Sequence, residues 1–265
     1  MQVIIRPDPG SACDLASAII ARQVREQPDS VLGLATGRTM EILYAKLAEK
    51  HENEGLDFSL VRTYNLDEYI GIPPEHPGSY RHYMNKHFFE RINIDLRNTH
   101  LPLGMAKDLE YECRAYEASI EKNGGIDLQL LGIGATGHIG FNEPLSALKS
   151  RTREKPLTPV TIEQNKNLFP NPREMPRRAI TMGVGTILEA KRILLLATGA
   201  DKVEILAKAV EGPITAMVSA TALQLHPKCT VIADEPAAAK LQEREYYDWI
   251  YQHESEWAPF REQGL

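Results

Sequence analysis

The sequence predicts an α/β fold, in which a mostly parallel sheet carries helices on both faces. Short apolar runs, typical of buried parallel strands, alternate with stretches of helical periodicity, and the links between them are short. The length of 265 residues suits one domain with a well-buried core. We therefore treat residues 1–265 as a single domain without an internal linker.

Apolar runs place six strands along the chain, and apolar periodicity places the helices between them. In the first helix, Leu15, Ile19, Ile20 and Val24 recur on one face. The predicted strands are 3–5, 31–35, 60–64, 126–133, 192–198 and 229–233. The predicted helices are 11–27, 39–50, 79–90, 108–122 and 201–211.

Two regions do not follow this alternation. Residues 150–178 are rich in proline and charge, which makes them the best candidate for a mobile lid or an excursion from the sheet. The tail, 240–265, is aromatic and charged, and we expect it to pack against or cap the domain rather than to take part in chemistry.

Charge and cysteine content exclude several classes of protein. The net charge is −6 and the basic residues are spread along the chain, so nucleic acid is not an expected partner. The longest apolar runs are too short to span a membrane, and the N-terminus has the pattern of a strand rather than of a signal peptide. Cys13, Cys113 and Cys229 are odd in number and widely spaced, which predicts neither a disulfide framework nor a metal site. These features favour a reducing, cytoplasmic location.

The segment 130–144, LLGIGATGHIGFNEP, is the most informative part of the sequence. An apolar run ends in a glycine-rich turn, which then presents His138 and, five residues later, Glu143. Imidazole exchanges protons near neutral pH, and a neighbouring carboxylate fixes its tautomer. The segment therefore indicates a proton-transfer site, although a satisfied polar histidine beside an ordinary turn is the simpler alternative.

The same turn also matches a dinucleotide-binding fingerprint through Gly132, Gly134 and Gly137. That fingerprint requires a helix directly after the turn and an acidic residue about 20 positions later. Pro144 prevents such a helix, and residues 155–158 read KPLT, without an acid. We therefore reject a nicotinamide cofactor.

Polar or glycine-rich segments follow three other predicted strands. Residues 35–39, ATGRT, form a strand–glycine–helix junction, which is either an anion site or an ordinary turn. In 65–69, NLDEY, adjacent side chains point apart, so only one of Asp67 and Glu68 is expected to face a cleft. Lys202 stands in the first turn of a helix, where an anion contact and a solvated lysine are equally good interpretations. Together these strand ends suit a small phosphorylated substrate with a proton to move.

Several long motifs in the same order resemble the glucosamine-6-phosphate deaminase family. They are VLGLATG at 31–37, NLDEY at 65–69, GHIGFNEP at 137–144, SRTR at 150–153 and LQLHP at 223–227, within a match from Val31 to about Pro236. The resemblance implies a Rossmann-like fold. It also implies conversion of glucosamine 6-phosphate to fructose 6-phosphate and ammonia, with no cofactor and no metal.

The resemblance also implies roles for individual residues. Asp67 would move the proton between C2 and C1, His138 would open the sugar ring, and Glu143 would orient and polarise His138. Thr136 would belong to the same catalytic group. The family often has Asp or Asn at this position, and a threonine cannot supply a charge to His138. The residues assigned to the substrate and its phosphate are Thr36, Gly37, Arg38, Thr39, Gly137 and Lys202.

Two further departures from the family concern phosphate binding. Arg38 replaces a usual glycine, and Asn167 aligns with a phosphate-binding arginine in many members. Some members are activated by N-acetylglucosamine 6-phosphate at a subunit interface. Ser146, Arg153 and Lys155 resemble that site, so we expect a homo-oligomer with a possible effector, although a solvated basic loop is the alternative.

Three other functions remain open from the sequence. The first is deamination of the C4 epimer, galactosamine 6-phosphate, which the SRTR stretch disfavours. The second is 6-phosphogluconolactonase activity, which needs no base at C2 and so leaves Asp67 unexplained. The third is a catalytically silent sugar-phosphate sensor, supported only by Thr136, Arg38 and Asn167.

Overall fold

Seven parallel strands form the central sheet of the protein, in a computed structural model that describes residues 1–169 and 171–265. The strands of the chain are β1 (Gln2–Arg6), β2 (Val31–Leu34), β3 (Arg62–Asn65), β4 (Asp67–Tyr69), β5 (Thr99–His100), β6 (Leu128–Leu131), β7 (Arg153–Pro156), β8 (Arg178–Thr181), β9 (Arg192–Ala197) and β10 (Cys229–Asp234). The central sheet has the order β1-β10-β9-β6-β2-β3-β5, and every neighbouring pair is parallel. This confirms the predicted fold class.

Nine α-helices lie in the described ranges, most of them between consecutive strands. They are α1 (Pro9–Glu26), α2 (Arg38–Glu54), α3 (Tyr80–His87), α4 (Leu109–Lys122), α5 (Pro159–Asn165), α6 (Val184–Leu188), α7 (Val203–Glu211), α8 (Arg244–His253) and α9 (Ala258–Arg261). Short polar side chains start several of them. Asp8 and Ser11 form a reciprocal capping box on α1, and Ser79 and Asp108 accept the first amides of α3 and α4. None of the helices in these ranges has the length and apolar character needed to cross a membrane.

A second, antiparallel sheet was not predicted from the sequence. It joins β4, β8 and β7 in that order, with Asp67 opposite Thr181 and Arg153 also opposite Thr181. These strands are three or four residues long and β7 reads REKP, without the apolar alternation that marks a strand. The small sheet therefore fixes Asp67 in a strand, where the sequence suggested a loop.

The regions 150–178 and 240–265 both have defined structure. The first contains β7, α5 and three-residue 3-10 turns, and its Leu157, Phe169 and Met175 pack on Tyr69 and Phe141 in a small apolar cluster. In the tail, Tyr251, Trp257 and Phe260 are buried in the main core. This confirms that the tail packs on the domain, whereas lid motion of 150–178 stays a prediction.

The strand order brings the informative turns together. Strand β2 lies between β3 and β6, and β6 pairs with β9, so the segments that follow these four parallel strands leave the same edge of the sheet. Ligands of open α/β sheets bind at this carboxyl edge. The fold therefore places residues 35–39, 66–69, 132–144 and 198–202 around one space.

Candidate active site

A cavity of about 780 Å³ opens at the carboxyl edge of the central sheet. This volume lies in the range of small-molecule sites. The wall includes residues from all four strand ends. The residues predicted from the sequence that line it are Thr36, Gly37, Arg38, Thr39, Asp67, His138 and Lys202.

The turn between β2 and α2 forms one wall of the cavity. Gly37 precedes α2 with φ of 124°, a conformation that favours glycine, and no side chain caps the helix. The first amides of α2 are therefore left for an anion. The Tyr83 hydroxyl donates to the Gly37 carbonyl at 2.8 Å, and the hydroxyls of Thr39 and Thr198 lie 2.8 Å apart. These bonds fix the turn and tie it to the end of β9.

The turn after β9 brings a cation to the same wall. The Gly199 amide donates to both oxygens of the fully buried Asp234, at 3.0 and 2.9 Å, which anchors the turn to β10. Lys202 lines the cavity, and its ammonium lies 3.0 Å from the Asp201 carboxylate. Its side chain is only 19% exposed, which separates it from a freely solvated lysine.

Arg38 and Asn167 differ in position. Arg38 is the first residue of α2 and lines the cavity with an exposed side chain. Asn167 lies in a 3-10 turn, is exposed, and is not part of the wall. Only Arg38 therefore lies at the part of the wall where the free amides of α2 could bind an anion.

The two adjacent acids after β3 have different surroundings, as strand alternation predicted. Asp67 lines the cavity, and its Oδ2 lies close to Gly140. Glu68 points the other way and accepts hydrogen bonds from the amides of Tyr69, Tyr80 and Arg81 and from the Ser79 hydroxyl. Glu68 thus holds the start of α3, and Asp67 is the carboxylate left for chemistry.

The environment of Asp67 disfavours its charge. Burial and the nearby Glu68 carboxylate raise the pKa of Asp67 from 3.8 to about 8, and the Phe141 amide opposes them only in part. A carboxyl group with a pKa near the operating pH can both accept and return a proton. Asp67 therefore has the properties of a general base that later acts as an acid.

One ring nitrogen of His138 lies close to two side-chain oxygen atoms. Its Nδ1 lies 2.8 Å from the Thr136 hydroxyl and 3.3 Å from Glu143 Oε2. When Nδ1 carries the proton, it donates a hydrogen bond to the carboxylate, which leaves Nε2 to exchange protons with a ligand. Thr136 and Glu143 are not on the cavity wall, and both lie next to His138, which is.

Two glycines of the 132–137 turn are required for different reasons. A Cβ on Gly134 would lie 2.1 Å from His138 Nε2, so the imidazole packs directly over this glycine. Gly137 has φ of 77°, and a Cβ there would overlap Val218. The amide of Gly137 donates to the Gly134 carbonyl, and the residue is not part of the cavity wall. The geometry thus gives Gly137 a role in the turn, and its substrate contact stays a prediction.

Glu143 is kept ionised despite its burial. Desolvation raises its pKa, but hydrogen bonds from His138, Thr161 and Thr158 outweigh this and hold the pKa at about 2. A carboxylate that stays charged at every physiological pH is a constant hydrogen-bond acceptor for His138 Nδ1.

Two helices contribute to the wall although the sequence did not predict it. Helix α3 supplies Tyr80, Tyr83 and His87, and α5 supplies Gln164 and Asn165. From the sequence alone, His87 is expected to be a surface or packing residue. The spacing of Tyr80, Tyr83 and His87 on one face of a predicted helix was the available signal, but nothing in the sequence places that face over the sheet edge.

The three residues expected to bind an effector lie outside this cavity. Arg153 and Lys155 share one face of β7, and Arg153 donates to Asn142 Oδ1 at 2.9 Å. Ser146 is buried, and its hydroxyl has no hydrogen-bond partner within the described ranges. Those ranges also contain no cluster of His, Cys, Asp and Glu side chains able to hold a metal ion.

Comparison with known proteins agrees with this geometry. Residues 10–232 match the family model described as glucosamine-6-phosphate isomerases/6-phosphogluconolactonase. A glucosamine-6-phosphate deaminase of Hahella chejuensis is 50% identical over 250 residues, which cover 94% of this chain and 95% of the relative. One from Geobacillus is 53% identical over 222 residues, 84% of this chain and 88% of the relative.

Solved structures separate the close relatives from the distant ones. A structure described as a monomeric glucosamine-6-phosphate deaminase superposes with a TM-score of 0.89 at 44% identity, over 90% of this chain and 99% of that one. The 6-phosphogluconolactonase of Trypanosoma cruzi has a TM-score of 0.74 at 20% identity, over 91% of this chain and 97% of that one, which shows a shared fold only. On the family model and these identities, the chain belongs to the glucosamine-6-phosphate deaminase family.

Proposed function

We infer that this protein converts glucosamine 6-phosphate to fructose 6-phosphate and ammonia. The observation that carries this inference is the placement of Asp67 and His138 on one cavity wall, next to an uncapped helix start and Lys202. The close relatives bear the same activity in their names. The reaction moves a proton and releases ammonia, so it requires no redox cofactor.

The substrate phosphate binds at the β2–α2 turn. The free amides that follow Gly37, the hydroxyls of Thr36 and Thr39 and the ammonium of Lys202 give an anion both hydrogen bonds and charge. Arg38 stands at the same wall and adds a guanidinium, which binds a phosphate through two parallel hydrogen bonds. The phosphate thereby fixes one end of the sugar.

His138 opens the ring of the bound sugar. Its Nε2 exchanges a proton with the ring oxygen and the C1 hydroxyl, while Glu143 holds Nδ1 and stabilises the positive charge. Thr136 adds a hydrogen bond without charge. The product of this step is the open-chain aldehyde.

Asp67 then moves the proton that converts the aldose to a ketose. The carboxylate takes the proton from C2 while the substrate ammonium passes one proton to the C1 oxygen, which gives an enolamine; the carboxyl group then returns its proton to C1, which gives a protonated imine at C2. Water adds to this imine, and ammonia leaves as the C2 ketone forms. A substrate ammonium group beside C2 favours the ionised form of Asp67, which burial alone disfavours.

Ammonia release from glucosamine 6-phosphate by the purified protein tests this function, with glucosamine lacking the phosphate as the control. Activity confined to galactosamine 6-phosphate would identify the epimer as substrate. Hydrolysis of 6-phosphogluconolactone without ammonia release would identify a lactonase. A folded protein that binds the sugar phosphate and releases no ammonia would be a sensor.

We also propose that the protein is cytoplasmic and oligomeric, with an effector site for N-acetylglucosamine 6-phosphate at Ser146, Arg153 and Lys155. A cation and an unpartnered hydroxyl suit a phosphate ester, and Arg153 and Lys155 share one strand face. Three buried free cysteines suit a reducing compartment.

A further inference from the structure

The two oxygens of Glu143 have separate partners. Oε2 faces the catalytic group, 3.3 Å from His138 Nδ1 and 3.5 Å from the Thr136 hydroxyl. Oε1 points to the start of α5, where it accepts hydrogen bonds from the hydroxyls of Thr161 and Thr158, the latter at 3.1 Å. The Thr158 amide approaches the same oxygen at 3.3 Å. One carboxylate thus joins the catalytic histidine to the 150–178 segment.

Glu143 and Thr161 are inaccessible to water, and Thr158 is partly exposed. Glu143 is 3% exposed and Thr161 is 1% exposed. Water therefore cannot replace a lost hydroxyl at Oε1 without rearrangement, and an unsatisfied buried carboxylate oxygen is costly. A carboxylate is planar, so the bonds that fix Oε1 also fix the direction of Oε2.

We propose that Thr161, assisted by Thr158, is a positioning residue for ring opening, which holds Glu143 so that Oε2 faces His138. This inference rests on the proposed function. Thr161 is not among the residues that line the cavity. It acts through Glu143, and its loss lets the carboxylate turn away from Nδ1.

The same contacts connect catalysis to the wall formed by α5. Thr158 precedes α5 and accepts the Thr161 amide, and Gln164 and Asn165 at the other end of the helix line the cavity. The Asn165 amide donates to the Tyr69 hydroxyl at 3.2 Å. A helix displaced from the cavity would therefore remove the threonine hydroxyls from Glu143.

The test compares Thr161→Val, which keeps the shape and removes the hydroxyl, with Thr161→Ser, which keeps the hydroxyl. Thr186→Val is the matched control, because the buried Thr186 hydroxyl donates to the carboxylate of Glu117 at 2.6 Å, outside the site. We expect Thr161→Val to lower kcat about 10-fold, the scale of one hydrogen bond to a charged group. Thr161→Ser should retain most of kcat, and Thr186→Val should match the parent.

The affinity of the protein for an open-chain analogue distinguishes two roles of Thr161, the orientation of Glu143 and the support of the cavity wall at α5. The probe is 2-amino-2-deoxyglucitol 6-phosphate, which needs no ring opening. Its dissociation constant should stay within about twofold in Thr161→Val, because only the ring-opening step is affected. If Thr161→Val loses affinity for the analogue while kcat is unchanged, Thr161 acts only on the cavity wall and the proposal is overturned. A kcat of Thr161→Val equal to that of Thr186→Val would also overturn it.

A spectroscopic measurement keeps the inference independent of turnover. In the nitrogen NMR spectrum of His138, the parent and Thr161→Ser should show Nδ1 protonated and hydrogen-bonded, and Thr161→Val should lose that signature. Its persistence in Thr161→Val overturns the positioning role even in a protein that releases no ammonia. Absence of ammonia release by the parent, in contrast, refutes the proposed function.

Discussion

Replacing Asp67 by Asn should abolish activity and, at alkaline pH, stabilise the fold. Asn has nearly the same shape and cannot ionise, so it removes the base and also the cost of a buried charge. Loss of a general base lowers kcat by about 100- to 10,000-fold. Exchange of the C2 proton with solvent deuterium should disappear with it.

The stability effect follows from the pKa of Asp67, which moves from 3.8 to about 8 on folding. Because folding raises this pKa, the contribution of Asp67 to stability is complete below pH 4 and is lost as the pH rises through 8. These two values place about 4 kcal/mol of that loss between pH 5 and pH 9. The amide side chain of the Asp67→Asn variant does not ionise, so it adds no pH dependence to the free energy of unfolding. The free-energy cost of burying this amide is the same at pH 5 and at pH 9.

The assay is the melting temperature of parent and variant at pH 5 and pH 9. At about 2–4 °C per kcal/mol for a chain of this size, the difference between variant and parent should grow by about 8–16 °C in favour of Asp67→Asn. Asp57→Asn is the control, because hydrogen bonds from Ser59 and Asn93 lower the pKa of this exposed carboxylate, which stays ionised over the whole interval. An equal difference between Asp67→Asn and the parent at both pH values would refute the desolvation argument.

Three other changes test separate parts of the site. Arg38→Ala should raise KM about 10- to 100-fold, since a guanidinium–phosphate contact contributes roughly 1.5–3 kcal/mol, and Arg38→Lys should recover part of it; an unchanged KM for Arg38→Ala would leave the phosphate to Lys202. Gly134→Ala should lower kcat at least about 100-fold with an unaltered circular dichroism spectrum, because its Cβ would lie 2.1 Å from His138 Nε2 and displace the imidazole; parental kcat would contradict this packing. Light scattering should give a multiple of 29.7 kDa, and N-acetylglucosamine 6-phosphate should activate the parent but not Arg153→Ala; a monomer whose rate ignores this compound would contradict the effector site.

The sequence predicted six of the seven strands of the central sheet because their buried positions are continuous apolar runs, and it missed β5, which has only two residues. It also predicted that only one of Asp67 and Glu68 faces the cavity, because adjacent side chains in an extended chain point apart. Alternation alone did not predict which of the two, whereas the family resemblance implied Asp67. That choice depends on Ser79 and the start of α3, eleven or more residues away, whose amides and hydroxyl occupy Glu68.

The sequence did not predict the small sheet or the contribution of α3 and α5 to the cavity wall, and the two reasons are related. Strand β7 has no apolar alternation, since its pairing with β8 is set by the backbone and not by a buried face. Helix α3 shows a polar and aromatic face in the sequence, but its orientation over the sheet edge depends on packing between distant residues. Short elements whose side chains face a cavity lack the periodic burial that makes longer elements predictable.

By itself the sequence determined the fold class, the family and the chemical types at each strand end, because local patterns and long motifs encode them directly. Tertiary structure alone decided that Gly134 supports the imidazole of His138, that Gly137 serves the turn, and that Thr161 holds Glu143. These contacts join residues from different segments of the chain, and their distances depend on how the segments pack. Local sequence carries no record of such distances, so the arrangement that orients the catalytic histidine is a property of the folded protein.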